Sequence, residues 1–495
     1  MIRKNIIFIL ALLVFFSAAY PASAEDVVID REVLEKILQR QDALEQELER
    51  LKDRLEKKDE EISAPAAPAE DIQVLKEDVE EMSERLDVVE TKSILDKIQL
   101  GGELRTQMEF IDFDNIRLDG QERDGNTEEL WSNRFRINLR SEITDDIIFQ
   151  GRLSYYRYWG GTNYERSESS SRYFMNPDQE GDLYVERAYI DYFVPGTPFA
   201  ITFGRLPTTN APPYEFKNYT TRKATWSQLF VDGEFDGIIG NLSLEKWTGL
   251  KNAMFRVCYS KVGQNYKQYK GINLDPLRVA VANFDTEIPG MKNSLLWLGY
   301  YRLFDMIPFR IEGIPYPEDS GDMDVYAIHL QFDNIKNSGL GWFGSFGYNN
   351  IHPRSEGTEL GPGYEVGMAG DSLHGDLGKK RNGYSVYTGL RYILPIESLK
   401  YPQIGFEYNY GSQYWFPVST HDVGEFTNKL GVNGSAYELY YIQPIAEKRM
   451  FCRIGAVYQD FDYIAPMYIY GSREGEDAKS NMTILQTYFL VDVRF

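Results

Sequence analysis

Arg134, Arg136 and Arg140 are separated by even steps in a segment that alternates apolar and polar residues, so they share one side of any strand that holds them. By the same parity Arg105, Arg152 and Arg187 fall on the polar face of neighbouring segments, and Arg256, Arg391 and Arg453 do so further along. Glu103, Glu109, Asp191, Glu407, Glu438 and Asp492 keep the same register. Such a collection lacks a nucleophile beside a base and forms no catalytic constellation. Its chemistry is electrostatic: along a confined passage, a ladder of arginines concentrates field on passing ions. The alternative open at this stage is that the arginines pair with the acids and merely satisfy a polar interior.

Other chemistry finds less support. His329 lies on a strand-like segment, polar side, while His352, His374 and His421 fall between segments, and the sequence sets no serine beside any of them. Asp319, Asp322 and Asp324 read as an acidic loop whose spacing misses a calcium-binding loop. Gly339-Leu340-Gly341-Trp342-Phe343-Gly344 matches a dinucleotide-binding string but opens a strand with no helix after it. Two cysteines, Cys258 on a polar face and Cys452 on an apolar one, supply neither a disulfide framework nor a zinc or iron–sulfur site. No enzyme, metal or cofactor is expected. A net charge of -22 argues against a nucleic-acid partner.

The elements that carry these residues are strands. Leu485, Thr487, Phe489, Val491, Val493 and Phe495 share one face, with Gln486, Tyr488, Leu490, Asp492 and Arg494 on the other. Similar alternation recurs in segments centred near residues 104, 136, 152, 188, 202, 238, 256, 281, 298, 328, 345, 389, 407, 439, 454 and 489. The connections have a rhythm. Short links at Thr144-Asp145-Asp146, Pro195-Gly196-Thr197-Pro198, Glu287–Lys292, Asn334–Gly339 and Pro444–Lys448 alternate with long ones of about 13 to 32 residues, the longest from Asn350 to Asn382. That rhythm is the mark of an up-and-down barrel in an outer membrane, with about 16 strands and both ends on the periplasmic side. The 35 tyrosines suit such a barrel, and Tyr155, Tyr158, Trp159, Tyr408, Tyr410 and Tyr458 at strand ends are expected in its aromatic girdle.

The first 97 residues differ. Arg3 and Lys4, the apolar run Ile6–Phe16 and Ala22-Ser23-Ala24 make residues 1–24 a secretory signal peptide. Residues 25–97 carry 24 acids against 12 bases. Leu34, Ile37, Gln41, Leu44, Leu48, Leu51 and Leu55 alternate steps of three and four, and Ile72, Leu75, Val79, Met82, Leu86 and Val89 do so again after a Pro/Ala break at 63–69. A periplasmic coiled coil is expected there, able to join protomers or to reach peptidoglycan or another periplasmic partner. The barrel then fills 98–495.

Tyr488-Phe489-Leu490-Val491-Asp492-Val493-Arg494-Phe495, Val185–Tyr192, Phe203-Gly204-Arg205 and Phe235-Asp236-Gly237-Ile238 resemble strings of the Gram-negative outer-membrane porin superfamily, notably porin-like proteins with an N-terminal periplasmic coiled coil. The resemblance implies that Phe489, Val491, Val493 and Phe495 are the signal read by the barrel-assembly machinery, and that the protein is a homo-oligomer, by analogy a trimer. It also implies an acidic constriction loop. Pro207 to Ser227 departs from this, with Glu215 as its one acid beside Lys217, Arg222 and Lys223. The expectation is therefore an all-β, antiparallel transmembrane barrel: a Gram-negative outer-membrane porin, passing small hydrophilic solutes or ions through a water-filled lumen. Its pore-lining candidates are Arg105, Arg134, Arg136, Arg140, Arg152, Arg187, Arg391, Arg453, Glu103, Asp191 and Glu407. The rival readings are an envelope tether anchored by its barrel, and a barrel sheathing an electron-transfer cytochrome.

Overall fold

A computed structural model describes residues 98–118, 121–159, 183–220, 222, 226–261, 277–304, 321–353, 380–416, 428–446, 449–463 and 479–495. The signal peptide and coiled-coil segment lie outside them. The described chain forms sixteen strands: β1 (Ile98–Leu118), β2 (Gln121–Thr144), β3 (Ile147–Tyr158), β4 (Leu183–Phe193), β5 (Phe199–Arg205), β6 (Asp236–Ser243), β7 (Met254–Lys261), β8 (Arg278–Thr286), β9 (Ser294–Phe304), β10 (Gly321–Phe332), β11 (Leu340–Pro353), β12 (Arg381–Ile393), β13 (Gln403–Gly411), β14 (Gly434–Ala446), β15 (Met450–Phe461) and β16 (Thr483–Arg494). Each is bonded to the next and β16 to β1, closing the barrel. Closure leaves no open edge, and every strand bonds both neighbours, as hydrocarbon requires.

The seam runs from Glu103 opposite Arg494 to Asp114 opposite Thr483. Phe495 extends it by a reciprocal backbone pair with Gly102, at 2.7 and 3.1 Å. Its ring lies so close over Gly102 that a Cβ there would meet the ring at 2.2 Å. The same ring is 73 % exposed. Deleting Phe495 removes both seam bonds together with the terminal aromatic, and the yield of folded, heat-modifiable barrel is expected to fall severalfold. A normal yield would contradict the role given to that residue.

Links at one rim are short: residues 145–146, 194–198, 244–253, 287–293, 333–339, 394–402 and 447–449. At the other rim they are long, with one departure from the sequence reading. β1 and β2, of 21 and 24 residues, end and begin at Leu118 and Gln121. The residues between them are Asp119-Gly120, a dipeptide favoured in two-residue hairpins.

The outer surface is apolar. On β14, Tyr437 and Leu439 are exposed while Glu438 between them is buried, the reverse of a soluble sheet. Leu104, Phe203, Val257, Phe346, Leu390 and Phe406 continue the exposed belt on other strands. A continuous apolar belt on a closed barrel is stable only against lipid, so the strands span a membrane. Trp131 stacks on Trp159 at 4.7 Å, and Tyr408 meets Tyr437 at 5.1 Å. Tyr158 corrects the girdle expectation: it is buried inside, packed on Tyr156 at 5.2 Å. Asp322 and Asp324 are likewise strand residues of β10, not a loop.

A larger correction concerns the lumen. The link from β5 to β6 folds into the barrel, including the short helix α1 (Glu215–Asn218). Leu206, Phe216, Trp226, Leu229, Phe230 and Phe235 of this segment share one apolar core with inward side chains such as Val279, Val281, Trp297, Leu303, Val325 and Phe343. Phe230 touches Trp297 and Tyr301 at ring separations of 4.7 and 4.4 Å. Trp415 enters the same core over Gly347, where a Cβ would sit 2.5 Å from the indole. On this side the interior is packed by the chain itself rather than filled with water.

Candidate functional site in the barrel interior

The opposite side of the interior, on β1–β4 and β13–β16, is ionic. Alternation carries Glu103, Arg105, Arg134 and Arg136 inward, all buried. Arg134 meets Glu103 at 2.6 Å, and Arg136 reaches Glu103 at 3.6 Å and Glu186 at 2.8 Å. Arg105 meets Asp492 at 2.8 Å, and Arg494 meets the other oxygen at 2.9 Å.

Glu186 is the residue that parity missed. The β3–β4 register shifts between Arg152 and Leu153: Arg152 faces Arg187, but Leu153 faces Val185. The extra residue is Glu186, and the irregularity turns both it and Arg187 inward, where strict alternation would put the acid in lipid. Glu186 collects Arg136, Arg152 at 3.0 Å and Arg187 at 3.9 Å. Ser154 and Thr209 also donate to it, at 2.5 and 3.0 Å. One carboxylate thus stands among three guanidinium groups.

A second cluster joins the inward segment to the far wall. Lys217 of α1 reaches Glu438 at 2.9 Å and Glu407 at 3.9 Å. Lys429, just before β14, bonds both of these acids. Tyr387 donates to Glu407 at 2.5 Å and Tyr488 to Glu438 at 2.7 Å. Asn218 accepts from Arg105 at 2.7 Å and from Arg453 at 3.2 Å. Arg391 donates to the Asp333 carbonyl at 2.7 Å and lies over the Phe216 ring at 4.3 Å. The wall yields where rings lie flat against it: a Cβ at Gly405 would meet the Tyr440 ring at 2.1 Å. A cavity of about 20 Å³ remains between Lys217, Lys429, Glu438, Arg453, Gln486 and Tyr488, roughly one water in size.

Of the remaining sequence candidates, Asp191 accepts from Gln150 at 3.0 Å and Thr202 at 2.6 Å. Arg140 pairs with Glu142 at 2.9 Å near the short-link rim, where its side chain is 38 % exposed. Arg256 bonds Asp285 on the next strand. The predicted ladder is therefore a set of charges paired with acids or held by the inward segment, not a bare cationic stripe. Glu215, the one acid between Pro207 and Ser227, turns to the apolar side; burial raises its carboxyl pKa, and Gln331 donates to it at 2.7 Å.

The sequence set no serine beside a histidine, but the barrel does. His329 Nδ1 lies 2.7 Å from Ser345 Oγ, and Nε2 lies 3.1 Å from Gln331. His329 is fully buried and Ser345 nearly so, and an amide stands where a triad would set a carboxylate. The pair lies in the packed interior, where the His329 ring stacks on Phe343 at 6.2 Å.

No curated protein matches the chain. Among solved structures, OprB of Pseudomonas putida is similar at 12 % identity, covering 82 % of this chain and 96 % of its own, with a TM-score of 0.45. The anion-selective porin from Comamonas acidovorans has 10 % identity, 80 % and 99 % coverage, and a TM-score of 0.43. The trimer form of OmpT, an outer membrane protein of Vibrio cholerae, has 10 % identity, 80 % and 99 % coverage, and a TM-score of 0.41. A family model described as "Protein of unknown function (DUF3373)" matches residues 124–483, from β2 to the start of β16, and the chain belongs to that family.

Proposed function

We propose that this protein is a channel of narrow bore in a Gram-negative outer membrane, passing small hydrophilic ions or solutes along the ionic side of its interior. The observation that carries the reading is the division of that interior. One side is a packed apolar core, and the other is lined by buried, mutually paired charges around a polar gap of about 20 Å³ beside the inward segment. The inward segment narrows the passage from the apolar side, with Lys217 and Asn218 as its polar edge. In this reading Arg105, Arg134, Arg136, Arg152, Arg187, Arg453, Glu103 and Glu407 shape the constriction, and Arg140 guards the periplasmic mouth.

The signal peptide, the periplasmic coiled coil, assembly through the terminal strand and association as a trimer belong to the same proposal. An envelope anchor is the second reading, favoured by how much of the interior the chain fills itself. The same filling leaves little room for an enclosed cytochrome.

Arg140→Glu tests the mouth without disturbing the buried pairs. In a planar bilayer under a salt gradient, its reversal potential is expected to shift towards cations. An unchanged potential would remove Arg140 from the ion path.

A further inference from the structure

On the outer face of β7–β11, Phe255, Phe284, Leu298, Tyr326, Ile328 and Phe346 line an open depression of about 480 Å³. Its floor includes Ala282. The register shows how the depression continues. Ala282 lies between Val257 and Tyr300, and Ala280, the next outward residue of β8, lies between Tyr259 and Arg302. Two small residues flanked by large ones make a furrow along β8. Phe284 closes it towards the short-link rim, and Arg278 heads it towards the long-link rim. Six residue steps along the strand separate those ends, about 20 Å. That is on the order of one leaflet's share of a hydrocarbon core of about 30 Å.

Two cations stand side by side at the head of the furrow. Arg278 stands directly opposite Lys261, which is exposed, and Arg302 lies one outward row below on β9. Arg302 is committed to acids, meeting Asp322 at 2.7 Å and Asp324 at 3.6 Å. Tyr300 and His352 also hold Asp324, at 2.8 and 3.0 Å. On the other flank Asp236 faces Lys261 across β6 and β7 and meets Arg205 at 3.2 Å. Acids thus stand at both sides, with Lys261 and Arg278 between them at the point where the apolar furrow ends.

We infer that this face binds one phosphorylated lipid of the outer leaflet, an acyl chain lying in the furrow over Ala280 and Ala282 and a phosphate seated at Lys261 and Arg278. An apolar trough explains an acyl chain but not its choice of headgroup; two cations at its outer end supply that choice. The inference rests on the proposed orientation, with the long links outside the cell, but not on conduction.

Native mass spectrometry of the refolded full chain in detergent tests it, with diphosphorylated lipid A as probe and phosphatidylcholine as comparison. One lipid A adduct is expected on the wild-type barrel. About a tenfold loss is expected in Lys261→Glu/Arg278→Glu, where the headgroup is repelled, and a similar loss in Ala282→Phe, where the furrow is filled. Arg157→Glu, an exposed site on β3, should retain the adduct. Folding of each variant is read separately from heat modifiability. Folded wild-type barrel without the adduct would overturn the inference, as would equal retention in the furrow variants or equal retention of phosphatidylcholine. Conduction lost with the lipid adduct intact would instead count against the channel reading alone.

Discussion

Replacing Glu186 by alanine is expected to cost the barrel about 3–5 kcal/mol, the usual penalty when one partner of a buried ionic cluster is removed. Arg136, Arg152 and Arg187 converge on that carboxylate, and Arg136 is 1 % exposed, so its charge cannot turn to water. The loss would appear as a lower temperature for the conversion of folded to unfolded barrel in a heat-modifiability series. Adding Arg136→Met should recover part of it, since one fewer cation is left without a counter-charge. A loss below about 1 kcal/mol would mean that solvent reaches these arginines, as at an exposed pair.

The second large effect is expected at Lys217. Its Nζ lies 2.9 Å from Glu438 and 3.9 Å from Glu407. Lys217→Glu would set a third carboxylate against those two and push α1 off the β13–β14 wall. Conductance is expected to rise severalfold and to become noisier as the segment loses its anchor. The charge swap Lys217→Glu/Glu438→Lys restores attraction between the two positions and should return the conductance most of the way. If the single and double variants conduct alike, the segment does not set the bore.

How much of this was legible in the sequence depends on which physical rule governs each part. All sixteen strands were legible because a wall with lipid on one face and a polar or packed interior on the other imprints a period of two. The inward arginines followed from the same period. Glu186 did not, because one inserted residue reverses the parity and nothing local marks the bulge; an acid on a nominal lipid face beside Arg187 was the only hint. Lys429 was missed because it belongs to a turn before β14, where no periodicity applies. Tyr158 was misplaced because a tyrosine near a strand end suits both a girdle and an interior contact.

The apolar half of the interior left a trace that alternation alone overlooks. Leu295-Leu296-Trp297-Leu298 and Val279-Ala280-Val281-Ala282 are apolar on both faces. A strand that reads so has something apolar to cover its inner side. Here that is the inward segment, whose Trp226, Leu229, Phe230 and Val231 would be unusual in an exposed loop. The ionic partners of that segment could be named by type but not paired, since the contacts join residues as distant as Lys217 and Glu438.

Single-channel recording of the refolded wild-type chain in a planar bilayer tests the central claim most directly. The expected result is a steady conductance of small steps from protein whose folded state is established by heat modifiability. Small steps are expected because the inward segment occupies part of the bore, and steady ones because its ion pairs hold it there. Silence from fully folded protein would contradict the channel and leave the barrel an anchor. Large steps, unchanged in Lys217→Glu, would contradict the role given to the segment.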